Sequence, residues 1–68
     1  MKTFAQNIKE IRQQLNLTQE QFANKLGYSY QLIGCWENGR SFPNLNTAKR
    51  IHEVFGVDYE DIFDYDLD

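Results

Sequence analysis

The side chains most often recruited for catalysis or metal binding are sparse in this chain: one Cys (Cys35), one His (His52) and ten carboxylates. Six of those carboxylates, Asp58, Glu60, Asp61, Asp64, Asp66 and Asp68, crowd the last eleven residues with no base or nucleophile beside them, so no general acid–base or nucleophilic constellation can be assembled. A single Cys rules out a disulfide within the chain, and one Cys with one His is too few for a structural zinc site. Cys35 has no thiolate-activating neighbour in the sequence and reads as a small hydrophobe. His52 falls on a mostly apolar segment and reads as a packed or surface-edge imidazole. No enzyme, cofactor, metal or small-molecule ligand is therefore expected. The informative stretch is Gln19–Trp36, where amide, hydroxyl and aromatic side chains alternate with small and apolar ones.

That stretch carries the demands of two short helices meeting at a steep angle. The residue at the closest backbone approach must be small, as Ala23 is. The turn must tolerate a left-handed backbone four residues later, as Gly27 does. Both helices must point apolar groups into the angle, for which Phe22, Leu26, Tyr28, Ile33 and Trp36 are placed. A generic helical hairpin needs no such combination; it reads as a helix-turn-helix with its second helix held proud of the body.

The flanking elements follow from caps and periodicity. Thr3 with Gln6 makes a capping box, and Phe4, Ile8, Ile11 and Leu15 form one helical face ending at Asn16. Thr18 with Gln21 opens the second helix in the same way. Ser29 is placed to cap the third, which Asn38-Gly39 ends. Asn44 caps a fourth helix with Leu45, Ala48, Ile51 and Phe55 inward and Gly56 as its stop. Asp58 begins a short fifth helix carrying Tyr59, Ile62 and Phe63. The expectation is an all-α, compact five-helix domain over residues 1–63, followed by an acidic tail over 64–68. In the tail Phe63, Tyr65 and Leu67 alternate with aspartates at a period of two. It is either a short C-terminal strand in need of a partner or a frayed acidic end.

Sixty-eight residues allow one domain. Apolar content of 41% with a single Pro favours folding over disorder. No apolar run approaches the ~18 residues of a membrane span, and no signal-peptide core follows Met1, so a cytoplasmic protein without membrane contact is expected. The net charge of −3 conceals a split: residues 1–57 carry +3 and residues 58–68 carry −6. The whole-chain charge is thus a poor guide to any one face.

The run Leu17-Thr18-Gln19-Glu20-Gln21-Phe22-Ala23, then Gly27, Ser29-Tyr30-Gln31-Leu32-Ile33, Trp36-Glu37-Asn38-Gly39-Arg40 and Pro43 resembles the Cro/repressor (Xre-like) DNA-binding family. The likeness covers about residues 4–63 at several fixed spacings. It implies a lambda-repressor-like fold and a double-stranded DNA partner, with the third helix entering the major groove. Tyr30, Gln31, Gly34 and Cys35 then stand at base-reading positions, where the Gln31 amide suits adenine N6 and N7. Leu32 is expected to be partly buried. The resemblance gives Gln19, Ser29, Asn38 and Arg40 to phosphates, Gln19 aided by a helix N-terminus. It also implies a partly buried structural salt bridge between Arg12 and Glu37.

This chain departs from the family pattern in having no cation between Lys25 and Arg40, and Gly34 sits mid-helix. Few cations per half-site mean weak binding by one copy, which argues for a homodimer on a pseudo-palindromic operator. The expected interface is Ile62, Phe63, Tyr65 and Leu67. The function that follows is a transcriptional regulator, a repressor in particular. The rival is a protein-binding module on the same fold, either antitoxin-like or a DNA mimic, which the cation-poor third helix and the acidic balance favour.

Overall fold

The computed structural model describes residues 3–63. Five helices follow one another: α1 (Phe4–Gln14), α2 (Gln19–Leu26), α3 (Tyr30–Glu37), α4 (Leu45–Phe55) and α5 (Tyr59–Phe63). No strand occurs among the described residues. None of these helices is long and apolar enough to cross a membrane. Tyr65 and Leu67, and with them the choice between a strand and a frayed acidic end for the tail, lie outside the described residues.

The helix starts are built as the caps require. Thr3 Oγ1 accepts from the Gln6 N–H at 3.2 Å, and the Gln6 side chain accepts from the Thr3 N–H at 2.9 Å. Thr18 and Gln21 repeat the arrangement at 3.1 and 2.9 Å. Each box satisfies two backbone donors that a helix start leaves without an intrahelical acceptor. Asn44 Oδ1 accepts from the Thr47 N–H at 2.9 Å. Ser29 occupies the cap position of α3 with extended backbone, but its hydroxyl makes no capping bond. Asn16 ends the α1 segment with φ +58°.

The core joins Phe4, Ile8 and Ile11 of α1, Phe22, Ala23 and Leu26 of α2, Ile33 and Trp36 of α3, Ile51 of α4 and Ile62 of α5. Trp36 is its largest member and is 1% exposed. It meets the Phe4 and Tyr28 rings edge to face, with centroids 6.2 and 6.1 Å away. Phe22 stacks on Phe55 at 4.6 Å and joins α2 to α4. Asn7 is buried beside them, and its amide donates to the Ile62 carbonyl at 3.3 Å, tying α5 to α1.

Three sequence expectations change here. Leu45, expected on the inner face of α4, is 76% exposed at the first position of the helix, and the first buried position of α4 is Ala48. Leu15, the last of the α1 stripe, is 39% exposed as the C-cap residue. Ile62, expected at a dimer interface, is fully buried within its own chain. With its surface already removed from water, it has none left to offer a second copy.

Candidate nucleic-acid interface

The α2–α3 turn begins at Ala23, which is fully buried and leaves room for the two backbones to close. Its carbonyl accepts the Tyr28 N–H at 3.0 Å across the turn. Gly27 sits at φ +82°, a backbone that a Cβ would strain. From below, Arg50 of α4 donates Nε to the Leu26 carbonyl at 2.6 Å. This satisfies an acceptor that a helix end leaves free.

Ile33 and Trp36 anchor one side of α3 in the core. The other side stays open: Tyr30 is 50% exposed, Gln31 is exposed, and Gly34 and Cys35 are half-buried. Leu32 is half-buried against the core. Just past the helix Asn38 and Arg40 are exposed, and the Arg40 N–H closes the chain back onto the Cys35 carbonyl at 2.9 Å. Ser29 is exposed at the other end. The eight residues expected to contact DNA therefore flank or lie on one helix, except Gln19 at the first position of α2.

Gln19 is tied inward. Its Nε2 donates to Glu37 Oε1 at 3.2 Å, and its Oε1 lies 3.9 Å from where a Cβ on Gly34 would stand. The side-chain amide thus fills the gap over Gly34, while the backbone N–H groups at the start of α2 keep the positive end of the helix dipole available to an anion.

Glu37 is the hub of this arrangement. Arg12 donates Nε to its Oε2 at 2.7 Å and Nη2 to its Oε1 at 3.1 Å, a two-pronged pair. A third donor, Arg12 Nη1, reaches the Leu17 carbonyl at 2.9 Å. The Arg12 and Glu37 side chains are 15% and 6% exposed. The hydrogen bond to Glu37 raises the Arg12 pKa above its ordinary value, burial opposes this, and the carboxylate charge adds to the rise. The pair fixes α1, the α1–α2 connection and α3 relative to one another.

Two contributors were missed by sequence reasoning. Asn7 had a signal, since it falls at the inward spacing between Phe4 and Ile11. Arg50 had none, because its acceptor is a backbone carbonyl 24 residues away. His52 is a packed imidazole: Nδ1 meets the Val57 carbonyl at 2.6 Å and the ring stacks on Tyr59 at 4.7 Å. Among the described residues no group of three or more His, Cys, Asp or Glu could hold a metal ion.

Comparison with known proteins agrees with this geometry. The profile of a protein family described as Helix-turn-helix matches residues 8–62. An uncharacterized HTH-type transcriptional regulator of Methanocaldococcus jannaschii is 48% identical over 61 residues, covering 90% of this chain and 92% of that one. The HTH-type transcriptional activator BcrR of Enterococcus faecalis is 36% identical over 59 residues, covering 87% of this chain and 29% of the activator. Among solved structures, the hydroxypropylphosphonic acid epoxidase from S. wedmorenis superimposes with a TM-score of 0.80 at 28% identity. That match covers 88% of this chain and 32% of the epoxidase.

Proposed function

Because the chain belongs to the Cro/C1-type (Xre-like) helix-turn-helix family of DNA-binding transcriptional regulators, we propose that it binds a pseudo-palindromic operator as a homodimer and represses. It is a DNA-binding regulator rather than an enzyme, and in this reading it works in the cytoplasm. The observation that carries the proposal is α3 itself. One side is locked by Ile33 and Trp36, and the other offers Tyr30 and Gln31 to solvent.

Roles follow from chemistry at each position. The Gln31 amide pairs with adenine N6 and N7, and Tyr30 supplies a hydroxyl or packs on a thymine methyl. Gly34 and Cys35, one turn on, allow close approach of the helix to base edges. Ser29, Asn38, Arg40 and the N-terminal turn of α2 at Gln19 hold phosphates and set the register. Occupying the duplex excludes other proteins from it and needs no surface beyond these, which favours repression. Doubling the contacts by two-fold symmetry offsets the lack of cations on α3.

Selection of bound duplexes from a random pool tests this reading. The expected product is a pseudo-palindrome with half-sites about one turn, ~34 Å, apart. No enrichment at low salt defeats it, and favours a protein partner for the same face.

A further inference from the structure

The two ends of α3 are held in different ways. Its last residue, Glu37, is clamped to α1 by Arg12. Its first turn has less local support. Thr3, Thr18 and Asn44 each bond the helix they cap, whereas Ser29 makes no capping bond. Tyr30 and Gln31 are exposed and Leu32 is half-buried. The buried anchors of α3, Ile33 and Trp36, come after Tyr30 and Gln31, so the side chains offered to bases are carried by the end nearest the turn.

Arg50 stands behind that turn. Its Nε donates to the Leu26 carbonyl at 2.6 Å, and its Nη2 lies 3.8 Å from where a Cβ on Gly27 would stand. The guanidinium thus covers the last residue of α2 and the turn glycine together, and sets a cation at the negative end of the α2 dipole. One turn earlier in α2, Phe22 stacks on Phe55 of α4 at 4.6 Å. The end of α2 is therefore fixed to α4 at two points, and the second of them, Leu26, precedes Tyr30 by four residues.

We propose that Arg50 is a positioning residue for base reading, whose hydrogen bond to the Leu26 carbonyl sets the tilt of the first turn of α3. The inference rests on the base-reading role given above to Tyr30 and Gln31, and adds a residue that touches no base. The lever is short but sufficient. Gln31 stands six residues before Glu37, about 9 Å along the helix at ~1.5 Å per residue. Tilting the helix by about 6° about the Glu37 clamp moves Gln31 by ~1 Å. A hydrogen bond of ~3 Å stretched by that much is lost, and a bidentate amide–adenine pair loses its discrimination with it. Arg50 is also an exposed cation, so the rival role is a phosphate contact. The two roles need different chemistry: positioning needs a donor at Nε, and a phosphate contact needs the charge.

Two substitutions separate them. Arg50→Gln puts an uncharged Nε2 donor as many bonds from the backbone as the arginine Nε, and Arg50→Met puts a methyl group there. Both lose the charge, so a difference between them reports the hydrogen bond. Wild type and the two variants are titrated by fluorescence anisotropy, at several salt concentrations, against the duplex that wild type enriches from the random pool and against a random-sequence duplex of equal length. Far-UV melting curves keep each titration below the folding transition. Arg50→Met is expected to lower the preference for the enriched duplex by about tenfold, while Arg50→Gln keeps it within about twofold of wild type. The two variants are expected to bind the random-sequence duplex alike. Equal preference in all three proteins overturns the inference. Equal loss in both variants assigns the effect to the charge and also overturns it, as a phosphate contact where the salt slope falls by about 0.9. An Arg50→Met chain that does not fold makes the bond a requirement of the fold and overturns it too. A wild type that enriches no duplex defeats base reading by α3 itself and this inference with it, whereas a wild type and an Arg50→Met variant that discriminate equally confine the failure to Arg50.

Discussion

At the scale of single residues, Glu37 decides most. It accepts from Arg12 twice and from Gln19 once, so Glu37→Ala strands a guanidinium that is 15% exposed. The expected loss is about 3 kcal/mol or more, read as a fall of about 12–24 °C or more in melting temperature for a domain of this size. The Arg12 pKa is raised on folding. Its contribution is therefore fully present below the ordinary guanidinium range and lost only in strong alkali, so it should impose no slope on stability between about pH 6 and 9. Melting curves across that window check the sign. The recognition residues separate by readout. Gln31→Ala should relax base choice at one position by about 1–3 kcal/mol of discrimination. Arg40→Ala should weaken all sequences alike and reduce the salt slope by about one. Equal effects of both on specific and random DNA would remove this division. The inward turn of Gln19 was not legible, since its partner lies 18 residues on and the resemblance offers it only a phosphate.

At the scale of elements, α3 trades stability for approach. Gly34 is mid-helix, and an added Cβ would meet only Gln19 Oε1 at 3.9 Å, an ordinary contact. Gly34→Ala should therefore raise stability by about 0.5–1 kcal/mol while lowering duplex affinity. Thermal melts with binding titrations test whether the two move in opposite directions. All five helices were legible because capping residues and apolar spacing agree at nearly every start and stop. What failed was the assumption that a periodic residue is buried along its whole helix. Leu45 and Leu15 stand at helix ends, where the stripe continues but the neighbouring elements do not. Ile62 failed in the other direction: α5 is short enough that its apolar residue is needed by the protomer itself.

At the scale of the whole molecule, the charge distribution governs how DNA is held. With no cation from residue 26 to 39, two copies should neutralise few phosphates. The expected dependence of log affinity on log salt is shallow, roughly −2 to −4 at about 0.9 per phosphate. Titrations at several salt concentrations check it, and a slope near −8 would require cationic contacts not identified on this face. Family membership was legible because Leu17–Ala23, Gly27, Ser29–Ile33, Trp36–Arg40 and Pro43 lie at fixed spacings, and the Arg12–Glu37 pair followed from that resemblance. The same carboxylate that steadies the scaffold also holds the amide bridging α2 to α3. An engineer who re-aims this protein by randomising α3 through position 37 would thus lose clones to misfolding before any were tried on a new target. Libraries confined to positions 30, 31 and 35 leave that joint intact, whereas a side chain much larger than Ala at 34 would push into the Gln19 amide.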